Sequence, residues 1–93
     1  MFVVAIYDIS DDKRRNQLHK KLKNFAEPVQ YSAFESHLKP KQLERMKSAI
    51  LNVIKKSEDR VRIYFLCDEC RKRTEIFGEG RLTEDMDKVN VFI

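Results

Sequence analysis

The chain opens on a run of apolar positions, Phe2-Val3-Val4-Ala5-Ile6-Tyr7, that stops at Asp8 and gives way to a charged turn, Ser10-Asp11-Asp12-Lys13-Arg14-Arg15. A near-continuous segment of Val, Ile and aromatic residues reads as a buried strand. Over positions 11 to 25, Leu18, Leu22 and Phe25 fall on one helical stripe, with Lys13, Arg14, Lys20, Lys21 and Lys23 spread over the other faces, which predicts an amphipathic helix. Pro28 introduces an extended segment over 29 to 34, where Val29, Tyr31 and Ala33 alternate with Gln30, Ser32 and Phe34 as in a single second strand. Pro40 suits the first turn of a second helix over 40 to 55, whose apolar positions Leu43, Met46, Ile50, Val53 and Ile54 recur at spacings of three and four. Arg60-Val61-Arg62-Ile63 alternates and Tyr64-Phe65-Leu66-Cys67 turns apolar, a strand running inward from solvent.

Thr74-Glu75-Ile76-Phe77 predicts a short fourth strand, with Gly78-Glu79-Gly80 as a joint and 81 to 88 as a polar connector. The terminal Val89-Asn90-Val91-Phe92-Ile93 is strand-like and needs a sheet edge, which a second chain can offer. The order of elements is that of a split, ferredoxin-like α+β fold: an antiparallel sheet with two helices on one face. Residues 1–93 are expected to form one domain, with 81–93 as connector and terminal strand.

Composition narrows this picture without changing it. A chain of 93 residues builds one core and gains from dimerisation. With 42% hydrophobic and 37% charged residues and only two Gly and two Pro, the sequence excludes a disordered chain and long irregular loops. No stretch approaches the length of a membrane helix, and two cysteines are too few for a disulfide framework, so the expected location is the cytoplasm. A formal charge of +4 favours a polyanionic partner without requiring one.

The motifs, taken together, resemble those of the CRISPR-associated protein 2 family. The resemblance rests on Tyr7-Asp8-Ile9-Ser10-Asp11-Asp12-Lys13-Arg14-Arg15, Gln30-Tyr31-Ser32-Ala33-Phe34-Glu35, Leu38-Lys39-Pro40, and Val61-Arg62-Ile63-Tyr64 leading to Leu66-Cys67. It implies a homodimer whose last strand joins the partner's sheet and which sits between two copies of the integrase CRISPR-associated protein 1 on protospacer DNA during spacer acquisition. In some members it also implies Mg²⁺-dependent endonuclease cleavage of single-stranded RNA or double-stranded DNA. By position, Asp8 matches the family's metal-binding carboxylate, while Arg15, Ser32 and Phe34 match positions linked to activity or to shaping the site. Ser36 stands where many members have Gly, and Lys39 where many have a Ser or Thr helix cap. A toxin-type ribonuclease of the same fold is the alternative.

From the residues themselves, Asp8 can ligate a metal at a rigid strand end or compete with Ser10, Asp11 and Asp12 to cap the following helix. One carboxylate per chain is a poor Mg²⁺ site. A twofold axis that brings two Asp8 side chains within about 6 Å would set roughly 3 kcal/mol of repulsion between them at an effective dielectric near 20, relieved by a shared proton or a captured cation. Arg14, Arg15, Lys20, Lys21 and Lys23 form either a solvated helix face or, doubled by the dimer, a surface for the phosphate backbone of a duplex. Cys67-Asp68-Glu69-Cys70 is half of a zinc pattern with no second half, so it is expected to be a pair of reduced thiols at a strand end, with a disulfide as the minor option. His19 and His37 are expected at the surface.

Overall fold

The computed structural model describes residues 1–30, 32–77 and 90–92, the last three and Gln30 as backbone alone. The elements run β1 (Phe2–Asp8), α1 (Asp12–Leu22), β2 (Glu27–Gln30), β3 (Ala33–His37), α2 (Pro40–Val53), β4 (Arg60–Leu66), α3 (Asp68–Lys72), β5 (Glu75–Phe77) and β6 (Asn90–Phe92). Four strands form a sheet in the order β2-β3-β1-β4, with β1 antiparallel to both neighbours. This is the ferredoxin-like arrangement expected from the sequence.

Alternation along β1 assigns its two faces. Val3, Ala5 and Tyr7 are buried, whereas Ile6 is 40% exposed and Asp8 is exposed. On the buried side the apolar stripe of α1 (Leu18, Leu22) and that of α2 (Leu43, Met46, Ile50, Val53) close over Val3, Tyr7 and Phe34, with Val61 and Ile63 of β4 packed against them. Both helices therefore cover one face of the sheet, and the opposite face carries neither.

Each helix starts where its local chemistry dictates. Asp11 caps α1, its carboxylate accepting the Arg14 backbone N–H at 2.9 Å, so the cap does not fall to Asp8. At α2, where Lys39 occupies the cap position, Gln42 reaches back to accept the Lys39 backbone N–H at 2.8 Å and Pro40 fills the first turn. The other unusual position, Ser36, donates its hydroxyl to the Phe25 carbonyl at 2.6 Å and so fastens β3 to the end of α1.

The structure corrects three expectations. The segment read as one strand over 29 to 34 is a hairpin: Gln30 pairs with Ala33, so the chain reverses between them, and a register shift between Pro28 and Gln30 breaks the simple alternation. Cys67-Asp68-Glu69-Cys70 does not simply end a strand but opens a short helix, α3. His19 and His37 are both half-buried rather than superficial. The terminal strand β6 lies parallel to β5 of its own chain. The Gly78–Gly80 joint, the connector to position 89, Tyr31 and Ile93 lie outside the described residues.

Candidate active site

Asp8 ends β1 on the face that α1 and α2 leave uncovered. Its cross-strand partner on β4 is Arg60, and the next same-face pairs inward are Ile6 with Arg62 and Val4 with Tyr64. Tyr64 is 46% exposed. The carboxylate thus sits at the rim of a partly apolar surface, with two arginines on the neighbouring strand.

The backbone that presents Asp8 is held from three sides. On the β3 side, the Tyr7 N–H donates to the Ser32 carbonyl at 3.0 Å. Beyond the strand end, Ile9 is buried, and the Arg15 guanidinium donates from Nη1 to the Ile9 carbonyl at 3.1 Å while its Nη2 meets the Asp12 carboxylate. Beneath, the Tyr7 hydroxyl and His19 Nδ1 share a hydrogen bond of 3.0 Å, and Phe34 lies against both rings at centroid distances of 6.2 Å to Tyr7 and 5.0 Å to His19. Burial raises the Tyr7 phenol above its usual range, an effect that the nearby Arg15 charge partly offsets.

The structure therefore gathers Asp8, Ser32 and Arg15 at one end of the sheet, with different roles. Phe34 is fully buried and pairs with Ala5, on the helix-covered face opposite Asp8. Its burial makes it a support for the strand from below. Arg14 is also committed elsewhere. Its Nε and Nη2 donate to Asp59 at 2.8 and 3.0 Å, its Nη2 to Glu58 at 3.1 Å, and it lies 4.0 Å from Asp11. The Asp59 side chain has no solvent exposure and also accepts the Lys55 N–H at 2.8 Å. Hydrogen bonding to Arg14 holds the Asp59 carboxyl below the usual range, and the same bond raises Arg14. Arg14 joins α1 to the loop before β4, which leaves less of its guanidinium for a phosphate. Lys20 and Lys23 are exposed, and Lys21 lines a shallow groove between α1 and α2 with Asn24, Arg45, Ser48 and Asn52.

Arg60 and Arg62 are the site residues that motif reading passed over. The signal was present, since the alternation of Arg60-Val61-Arg62-Ile63 puts both arginines on one face of β4. Only the register with β1 shows that this face is the one carrying Asp8.

As to a metal, no group of three or more His, Cys, Asp or Glu side chains among the described residues is arranged to hold an ion. One chain contributes Asp8 alone. Two copies related across the open face would contribute two carboxylates, which suits Mg²⁺, an ion that keeps most of its waters and takes one or two carboxylates.

The fold and the strand-end carboxylate define a class: small ferredoxin-like α+β proteins that present one acidic residue per chain at the end of the first strand. Among solved structures, a hypothetical protein from Thermus thermophilus matches with a TM-score of 0.78 at 33% identity, covering 87% of this chain and 94% of that one. Streptococcus pyogenes Cas2 matches with a TM-score of 0.74 at 26% identity, covering 84% of this chain and all (100%) of that one. In sequence, the chain is 40% identical to the CRISPR-associated endoribonuclease Cas2 of Thermus thermophilus over 91 residues, 96% of this chain and 97% of the relative. It is 38% identical to a protein of the same description from Chloroflexus aurantiacus over 85 residues, 91% of each chain. The family model for CRISPR associated protein Cas2 matches residues 1–74, and the chain belongs to that family. Among the described residues no helix is long and apolar enough to cross a membrane.

Proposed function

We propose that this protein is a homodimer of the CRISPR spacer-acquisition machinery that bridges copies of the CRISPR-associated protein 1 integrase on protospacer DNA, and that the same dimer hydrolyses phosphodiesters with Mg²⁺. The observation that carries the reading is the position of Asp8: a rigidly held, exposed carboxylate at the rim of the sheet face that α1 and α2 leave uncovered. The exposed Ile6 and Tyr64 on that face give a second copy an apolar surface to bury. Relatives named as endoribonucleases support the hydrolytic part.

In this reading two Asp8 carboxylates, one from each protomer, would hold the ion. Bound there, Mg²⁺ supplies a bound water of lowered pKa and charge stabilisation at the scissile phosphate. Arg60 and Arg62 bring positive charge to the same face, and Arg15 keeps the turn after Asp8 in place through the Ile9 carbonyl. Phosphate contacts along a DNA duplex or a single-stranded RNA fall to exposed Lys20 and Lys23 and to Lys21 in its groove rather than to Arg14.

The test is Asp8→Asn, which keeps the shape and removes the charge. Cleavage of RNA and DNA is expected to fall by more than about a hundredfold, beyond what loss of a residue merely supporting a metal ligand costs. Spacer integration with the cognate integrase is expected to persist. Cleavage by Asp8→Asn at the wild-type rate and insensitive to chelator would defeat the metal proposal, and loss of integration in a folded variant would tie the scaffold to the same carboxylate.

A further inference from the structure

Cys67 carries the chain from β4 into α3, and it does so as the capping residue: its backbone is extended (φ −72°, ψ 167°) and its sulfur accepts the Cys70 N–H at 3.4 Å. Sulfur is a weak acceptor, and Ser, Thr, Asp or Asn caps a helix better, so capping alone does not account for a thiol here. Cys70 stands one helical turn on. Side chains three residues apart around a turn lie about 5–6 Å apart at Cβ, within a small adjustment of the separation a disulfide spans. Both thiols are free and exposed.

The turn that holds the pair is fixed on either side. The Cys67 carbonyl accepts the Arg71 N–H at 2.9 Å, and the Thr74 hydroxyl donates to the Cys70 carbonyl at 3.4 Å. Arg71 is buried, with its guanidinium 5.5 Å from the centre of the Phe2 ring, which anchors α3 against the start of β1, the opposite end of that strand from Asp8. The two sulfurs are also unlike each other. The backbone N–H of Cys70 is the main influence lowering the Cys67 thiol, while hydrogen bonding to Cys67 is the main influence raising that of Cys70.

We propose that Cys67 and Cys70 form a redox-active dithiol that exchanges with low-molecular-weight disulfides of the glutathione class, Cys67 attacking and Cys70 resolving. The Cys67 thiolate bonds to one sulfur of the external disulfide and expels the other half as a thiolate, which takes up a proton. Cys70 then loses its proton and attacks the Cys67 sulfur, expelling the second half. The dithiol gives up two electrons and two protons, and the external disulfide becomes two thiols. The proposal does not depend on the chemistry at Asp8.

The experiment equilibrates the full chain in buffers of varied reduced-to-oxidised glutathione ratio, quenches with acid, alkylates free thiols and weighs the intact protein. Wild type is expected to pass in one step from two alkylated thiols to none, with no glutathione retained. Cys70→Ser is expected to hold one glutathione at Cys67, and Cys67→Ser to react more slowly, as its remaining thiol lacks the backbone N–H that favours the thiolate at Cys67. Far-UV circular dichroism checks that the variants fold, and the wild-type masses decide the question without them. Two thiols still open to alkylation in fully oxidised glutathione, or two glutathiones carried with no internal bridge, would overturn the proposal, as would equal rates for the two folded variants.

Discussion

The two faces of the four-stranded sheet follow the same strands and are built on opposite terms. The covered face presents Val3, Ala5, Tyr7 and Phe34, each at most 4% exposed, beneath the apolar stripes of α1 and α2. The open face presents Ile6, Asp8, Arg60, Arg62 and Tyr64, and its far end, at Phe2, is closed by His37 and Arg71. One face stabilises the chain, and the other, in the function proposed above, takes a second molecule. A strand with period-two alternation lets the two requirements be met independently, residue by residue.

The sharpest way to break this contrast is to damage each face in turn. Phe34→Ala, on the covered face, should cost about 3–5 kcal/mol in chemical denaturation, because a fully buried ring leaves a cavity that its neighbours cannot close. Ile6→Lys, on the open face, should leave the stability of the isolated chain within about 1 kcal/mol and instead halve the particle mass in light scattering. A dimer of unchanged mass would move the interface off this face.

Two charged groups sharpen the comparison further. Arg14→Ala should lower the melting temperature by several degrees at neutral pH, since it strands the shielded Asp59 carboxylate at the edge of the covered side. The folded-state pKa of Asp59 is depressed, so its stabilisation is present above its unfolded value near 3.8 and is lost as pH falls through the lower folded value. The gap between wild type and variant should therefore narrow in melts below about that pH. Glu35, half-buried on the open face opposite Val4, behaves in the reverse sense: burial raises its carboxyl. Its ionisation costs stability, a cost absent below about 4.5 and complete once pH has risen past the higher folded value. Glu35→Gln should give a small gain at pH 7 that vanishes on acidification. A loss at pH 7 would mean that the carboxylate has a favourable partner.

Much of this arrangement was legible in the sequence, and the exceptions have physical causes. β1, α1, α2 and β4 each carry enough residues for their period to show, and Asp8 stood out because it ends an apolar run. The hairpin between β2 and β3 was missed because the sequence between Gln30 and Ala33 contains no Gly, Pro, Asn or Asp to mark a turn. Helix α3, at five residues, is too short for periodicity, although Asp68 and Glu69 in its first turn and Arg71 and Lys72 in its last complement its dipole. In the site, the commitments of Arg14 were hidden because Asp59 is 45 residues away, a pairing that only the folded chain creates. Phe34 was named for the site by its match to a family position, and alternation sets it on the other side.

The central place of β1 also sets the order in which the molecule can come into being. Its register joins Phe2 to Leu66 and Asp8 to Arg60, the longest-range pairings in the sheet. A ribosome releases β1 first and β4 only after both larger helices, so the first strand waits for the partner that completes its hydrogen bonding. Closing so wide a loop costs entropy before any contact repays it, which makes docking of β4 a late and slow event. A nascent chain that has not yet released β4 therefore presents Asp8 without Arg60 and Arg62, which reach the carboxylate only when β4 pairs with β1.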